Sequence, residues 1–280
     1  MDHASSSAPA KLNLFLYVTG QRDDGYHDIL TLMQKVSLYD RIDLSLEPGE
    51  AIRIRTTAQD LPLDDRNTVY RAIQLFFGNA PVPKKQVTVD LEKNIPVEAG
   101  MGGASSDAAC VLRLLNGLIP AYRDPDLTGI AGRIGSDVPF FMMEGSGLAS
   151  GRGDIVKSVG IEGPLHYVVV KPGFGISTRR AYSLLKPLTK TGPPSMCDLA
   201  FYTKHDIIRC LQNDLEAVTE EHASEIHTIK EKLLQAGAYA AAMTGSGSCV
   251  FGIFFEDQEA QKALNKMSKD YTTVYKLHGI

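Results

Sequence analysis

A chain of 280 residues with 44% hydrophobic and 22% charged residues has the composition of an ordinary globular protein, with core enough for one large domain or two smaller ones. Its net charge of −4 and pI near 6.0 argue against a nucleic-acid surface or a polybasic membrane patch. No apolar run approaches the roughly 20 residues needed to span a bilayer, and MDHASSSAPAK lacks the basic start and apolar stretch of a secretory signal. Cys110, Cys197, Cys210 and Cys249 are scattered without a Cys-x-x-Cys pair. That pattern disfavours zinc and fits reduced thiols in a cytoplasmic protein.

Ala10 to Val18 alternates Leu12, Leu14 and Leu16 with Lys11, Asn13, Phe15 and Tyr17, the period of a strand with one buried face. Lys11 and Asn13 then share the other face, toward solvent or a site. The loop QRDDGYHD turns at Asp24-Gly25 and presents Tyr26 beside His27, an aromatic face next to a donor and acceptor. Strands are predicted over Leu32 to Leu46 and Ile52 to Thr56, with Pro48-Gly49 turning between them. Asn67 suits the N-cap of a helix to Phe77, and Val87 to Leu91 reads as another strand.

Pro96 to Leu118 follows as PVEAGMGGASSDAACVLRLLNGL. Gly100, Gly102, Gly103 and Ala104 leave room for backbone N–H groups to turn inward. The predicted helix behind them adds orphan donors and a partial positive charge. Such a loop can cradle phosphate, or it is a simple glycine turn capped by Ser106 or Asp107. It is not a P-loop, having no Gly-Lys pair, and the dinucleotide fingerprint fails at Ser105.

Leu127 to Ile134 reads as a helix stopping at Gly135. In the next stretch, GSDVPFFM, Asp137 precedes Val138-Pro139 and is expected at an extended bend. Half-desolvated by Phe140 to Met142, its carboxylate would suit a general base, or it caps a turn. Gly145 to Gly153 is a glycine-punctuated strand or loop, and Leu165 to Lys171 a buried strand opening a second domain. Ser177 or Thr178 can cap a short helix carrying Tyr182. A surface loop is expected over Leu188 to Leu199, then helices over Asp206 to Cys210 and Asp214 to Gln235, closed by Gly237. Strands over Tyr239 to Met243 and Val250 to Phe255 flank a second glycine–hydroxyl turn, Thr244-Gly245-Ser246-Gly247. A helix (Gln258 to Met267) and a strand (Thr272 to Leu277) end the chain. This order predicts an α+β sandwich of the split βαβ type.

Four stretches carry a resemblance: Pro9-Ala10-Lys11-Leu12-Asn13-Leu14, the loop Pro96 to Ala108, Gly135-Ser136-Asp137-Val138-Pro139, and Thr244 to Ser248. In this order and spacing the chain resembles the GHMP kinases over nearly its whole length. The opening with Gly25-Tyr26-His27, and Asn213-Asp214-Leu215-Glu216, are similar to the branch acting on 4-diphosphocytidyl-2-C-methyl-D-erythritol in non-mevalonate isoprenoid synthesis. The resemblance implies an α+β, two-domain GHMP kinase fold. An N-terminal domain like the second domain of ribosomal protein S5 would span 1–160, and a ferredoxin-like C-terminal domain 161–280.

It further implies ATP-dependent phosphorylation of the acceptor's 2-hydroxyl. Asp137 would be the base and Lys11 would sit beside it. Asn13 and Thr178 would help hold the acceptor, Tyr26 and Tyr182 would sandwich its cytosine, and His27 would bond the ring edge. Val97, Glu98, Ala99, Gly100, Met101, Gly102, Gly103, Ala104, Ser105, Ser106 and Asp107 would embrace the ATP phosphates, supported by Thr244, Gly245, Ser246 and Gly247. Mg²⁺ is expected with ATP, its protein ligands unassigned, although the Asp107 carboxylate could recruit it. Glu98, Ala99 and Ala104 stand where the family often has glycine, so strain is expected if any needs positive φ. The resemblance leaves open a monomer or a weak homodimer. The alternatives are a mevalonate or homoserine type of kinase, which would have no base to stack on Tyr26, and a nucleotide sensor, which would be expected to lack Lys11 or Asp137.

Overall fold

A computed structural model describes residues 2–80, 82–185, 197–218 and 223–280. Most of the loop expected over Leu188 to Leu199 lies outside the described residues. Backbone contacts divide the chain into two compact units interleaved along the sequence. One comprises Met1–Ala10, Leu38–Ile95 and Gly102–Glu144; the other comprises Lys11–Ser37, Pro96–Met101 and Gly145–Ile280. This partition differs from a single cut after residue 160, because two long paired strands, β1 (Asp2–Gln21) and β2 (His27–Glu47), each run through both units.

In the first unit, Arg41 to Glu47 of β2 pair antiparallel with β4 (Gln86–Glu92), and β3 (Ile52–Thr56) joins β4 in parallel. Alternation decides which face is inward: Ile42, Leu44 and Leu46 are buried, whereas Arg41 and Asp43 are exposed. Helix α1 (Thr68–Asn79) starts where Asn67 Oδ1 accepts the Val69 N–H at 2.8 Å, as its sequence predicts, and buries Val69, Ala72, Ile73 and Phe76. Helix α2 (Gly103–Leu118) packs on α1 and is buried continuously from Ser106 to Leu112. It is therefore central rather than amphipathic there, which is why small residues fill Ala108 and Ala109. Two more helices follow, α3 (Asp124–Ile134), capped by Gly135 as its sequence predicts, and α4 (Val138–Met142).

The second unit contains a four-stranded antiparallel sheet ordered β11-β7-β10-β9, built from β7 (His166–Val170), β9 (Ala240–Met243), β10 (Val250–Phe254) and β11 (Val274–His278). Helices α7 (Ala223–Gln235) and α8 (Asp257–Met267) cover it, with Ile229, Leu233, Ala260, Ala263 and Met267 packed on Val168, Val170, Val250 and Phe254. The short helices α5 (Thr178–Ser183) and α6 (Lys204–Cys210) lie between β7 and α7 in the chain. A hairpin of β5 (Ser146–Ser150) and β6 (Ile155–Ile161) extends from Thr31 to Met33 of β2, and β8 (Phe201–Tyr202) adds to β6 in parallel. Strand β6 has no counterpart in the sequence prediction. Ile155 is 67% exposed and the burial along the strand is irregular, so no period of two marks it.

The single helix predicted over Asp214 to Gln235 is instead a 3₁₀ turn at Asp214–Val218 and then α7. Side-chain bonding starts the turn: Asn213 Oδ1 accepts the Leu215 N–H at 3.0 Å, and Asp214 Oδ2 accepts the Val18 N–H at 2.8 Å. No helix among the described residues is long and apolar enough to cross a membrane. Gly252 of β10 lies under the end of α7, where an added Cβ would come within 2.9 Å of Ala238 Cβ and 3.3 Å of Leu233. Gly252→Val should therefore lower unfolding free energy in urea by about 1–3 kcal/mol; wild-type stability would mean that the helix end moves aside freely.

Candidate active site

In the second unit one hydroxyl ties three segments that are distant in sequence. Thr244 Oγ1 accepts the Asn13 N–H at 2.9 Å and donates to the Gly100 carbonyl at 3.3 Å. The Lys11 N–H donates to Met101 O at 3.0 Å, Ser248 N–H to Glu98 O at 3.2 Å, and Cys249 N–H to Ala99 O at 3.2 Å. The first half of the glycine loop thus lies directly against the second glycine turn. Contact is close enough that a Cβ on Gly100 would fall 1.9 Å from Thr244 O, and Gly100 has φ +72°. Asn213 holds the turn from beneath, its amide donating to Met243 O and Gly245 O, both at 2.8 Å.

Lys11 and Asn13 do share a strand face, yet that face is not solvated: they are 3% and 4% exposed. Lys11 Nζ donates to Asn13 Oδ1, and Asn13 Nδ2 donates to Thr31 Oγ1 at 2.8 Å. A buried ammonium needs compensating partners, and the Asn13 amide oxygen is one of them. Thr178 Oγ1 lies 3.0 Å from Ser246 Oγ, bringing two more of the expected residues together. Ser177, not Thr178, caps α5 by accepting the Arg180 N–H.

In the first unit, the glycine loop continues into α2 without a side-chain cap. Gly102, with φ +72°, is the N-cap, so neither Ser106 nor Asp107 caps the helix. Ser106 Oγ and Asp107 Oδ1 are instead buried with no hydrogen-bond partner among the described residues. Among the non-glycine residues of the loop, only Glu98 takes positive φ, +51°; Ala99 and Ala104 escape that strain. Asp107 Oδ2 receives Lys93 Nζ at 2.7 Å, and Lys93 also pairs with Asp40. Asp40 Oδ1 in turn accepts the N–H groups of Asn94 and Ile95 at 2.6 and 2.8 Å. Burial pushes the Asp107 carboxyl up to about 7 against the pull of Lys93, with the Asp40 charge adding to the rise. Burial works to lower the Lys93 pKa, but its two carboxylates win and raise it.

Asp137 is the N-cap of α4 with φ −80° and ψ −12°, a helical turn rather than the extended bend its sequence suggests. Pro139 lies in the first turn of α4, where its missing N–H costs nothing, so it starts the helix. The carboxylate is half-buried ahead of buried Phe140 and Phe141, as expected.

The Tyr26-His27 loop, in the second unit, turns at Gly25 with φ +81°. His27 and Tyr182 stack with centroids 5.6 Å apart and planes at 28°, and His27 Nδ1 is buried without a partner among the described residues. Tyr26 is 55% exposed, and the Arg152 guanidinium lies 5.1 Å from its ring centroid. Tyr182 therefore faces His27, a pairing not foreseen from a Tyr26–Tyr182 sandwich. Sequence reasoning also missed Arg152, Lys93 and Asp40. Only the Gly-Arg-Gly turn could have singled out Arg152, and nothing local marks the other two.

Among the described residues no cluster of three or more His, Cys, Asp or Glu could hold a metal by itself. Models of the GHMP kinases N terminal domain and the GHMP kinases C terminal region match residues 67–152 and 203–273. The 4-diphosphocytidyl-2-C-methyl-D-erythritol kinase of Syntrophotalea carbinolica is 42% identical over 262 residues, 93% of each chain. That of Clostridium tetani is 37% identical, covering 96% of this chain and 97% of its own. A crystal structure of 4-(cytidine 5'-diphospho)-2C-methyl-D-erythritol kinase superposes with TM-score 0.82 and 31% identity, covering 99% of this chain and all of that one. Homoserine kinase from Cytophaga hutchinsonii shares the fold at TM-score 0.75 with 18% identity, covering all of this chain and 95% of its own.

Lys93→Met would leave two carboxylates buried without their cation and should cost about 3–5 kcal/mol of unfolding free energy. Lys93→Met with Asp107→Asn should recover part of that loss in the same denaturation assay. No recovery would mean that Lys93 acts by packing alone.

Proposed function

Because the chain belongs to the GHMP kinase family, we propose that it transfers the γ-phosphoryl group of ATP to the 2-hydroxyl of 4-diphosphocytidyl-2-C-methyl-D-erythritol, a step of non-mevalonate isoprenoid precursor synthesis. The observation that carries the choice of acceptor is the His27 ring nitrogen, buried and unpartnered among the described residues beside the Tyr182 ring and the exposed Tyr26. A buried polar atom calls for a partner from outside the chain, and a pyrimidine offers both an edge for that nitrogen and a face for aromatic stacking. Mevalonate and homoserine have no such face.

Phosphoryl transfer asks for positioning and charge stabilisation more than for covalent help. The backbone amides of Val97 to Gly103 and the orphan donors at the start of α2 supply a fixed positive field for the ATP phosphates. The turn Thr244 to Gly247 braces the first part of that loop through the Thr244 hydroxyl. Asp137 takes the proton from the acceptor's 2-hydroxyl as its oxygen attacks phosphorus. Lys11 favours the developing alkoxide, and Asn13 and Thr178 orient the polyol. Oxygen donors fit the magnesium that accompanies ATP: Ser106 Oγ and Asp107 Oδ1 are buried and unpartnered among the described residues, so they would hold it. When bound, the ion neutralises charge on the β- and γ-phosphates.

An ADP-release assay comparing 4-diphosphocytidyl-2-C-methyl-D-erythritol with mevalonate and homoserine tests this reading, which requires turnover with the first alone. Asp137→Ala should lower kcat by about 100- to 10,000-fold while titration still detects ATP binding; full activity would remove Asp137 from the reaction. Tyr26→Ala should raise KM for the cytidine acceptor far more than KM for ATP, and equal rises would place Tyr26 elsewhere.

A further inference from the structure

Tyr26 presents a physical problem. A ring that is 55% exposed, next to Gly25 at φ +81°, has little packing to hold it in one orientation. Its loop is tied by backbone: Arg22 N–H donates to Tyr26 O at 2.9 Å, and Tyr26 N–H donates to Asp24 Oδ1 at 3.1 Å. Those bonds fix the main chain and leave the ring's own torsions free. A stacking platform that must be ordered anew at each encounter loses affinity to that ordering.

The second turn of the same unit supplies what is missing. Gly151 and Gly153, with φ +63° and +94°, bracket Arg152, and Gly151 O accepts the Ile29 N–H at 2.8 Å, two residues beyond His27. Asp154 anchors the arginine twice, Oδ1 accepting its backbone N–H at 3.2 Å and Oδ2 its guanidinium at 3.0 Å. Arg22, the neighbouring cation, is engaged by Asp24 and Asp28. We propose that Arg152 is a specificity-determining positioning residue: its guanidinium, clamped by Asp154, lies along one face of the Tyr26 ring and holds the other face ready for the acceptor's pyrimidine. A planar guanidinium can stack on a ring as a lysine ammonium cannot. This inference rests on the cytidine-linked acceptor proposed above.

The test is a double-mutant cycle on the full-length enzyme with 4-diphosphocytidyl-2-C-methyl-D-erythritol and ATP. Arg152→Ala should raise the acceptor KM by about two- to five-fold, leave the ATP KM in place, and have no further effect in a Tyr26→Ala background. Arg152→Lys should behave like Arg152→Ala. If Arg152→Ala does not fold, Arg152→Gln, which keeps a donor for Asp154, is carried through the same cycle. An undiminished effect in the Tyr26→Ala background, an equal rise in the ATP KM, or no effect at all overturns the role of Arg152 while the proposed activity stands. Absence of turnover by the wild-type enzyme overturns both.

Discussion

The Thr244 hydroxyl is the constraint on which the candidate site residues of the second unit depend. It accepts from the backbone of Asn13 and donates to the carbonyl of Gly100, so a strand, a glycine loop and a hairpin turn share one atom. Backbone bonds from Lys11, Ser248 and Cys249 to the glycine loop hold the same segments together. A Cβ on Gly100 would fall 1.9 Å from Thr244 O, and one on Gly245 would come within 2.8 Å of Gly100 O. The approach of two backbones is made possible by glycine and stabilised by a hydroxyl that both accepts and donates. The same contacts fix the main chain of Lys11 and Asn13, whose N–H groups are bonded to Met101 and Thr244.

The first unit solves a different problem, that of burying charge at the start of a helix. Asp40, Lys93 and Asp107 are nearly inaccessible, and two carboxylates face one ammonium. Backbone N–H groups from Asn94 and Ile95 stabilise Asp40, so the uncompensated part falls on Asp107, whose second oxygen is unpartnered among the described residues. Burial and the Asp40 charge answer by raising the Asp107 carboxyl to about 7. The arrangement also accounts for Gly103, where a Cβ would press on Lys93 and Ile95.

Much of the fold could be read along the chain. The Asn67 cap, the Gly135 stop and the strands of the four-stranded sheet follow from local propensity and period. Where reading failed, a long-range contact had overridden a local rule. Asp214 leaves a regular helix because Val18 offers it a backbone N–H. Pro139 is the exception: it opens a helix instead of extending the chain because its missing N–H suits the first turn, a local rule. Strand β6 forms with an exposed isoleucine because β5 and β8 pair with it, not because its side chains alternate. In the site, Lys11, Asn13 and the two glycine turns were visible as motifs, whereas Asp40, Lys93 and Arg152 were not. Each of these three is defined by a partner far away in sequence: Asp40 and Lys93 by each other, Arg152 by Tyr26.

By itself, then, the sequence determined the elements, the family and the residue types that chemistry would use, because these rest on short-range period, glycine content and ordered motifs. Only the tertiary structure decided that the Lys11 face is buried, that Gly102 rather than a side chain caps α2, and that an arginine flanks the exposed tyrosine. Burial and pairing are sums over neighbours that the chain brings together only on folding, and no local pattern encodes them.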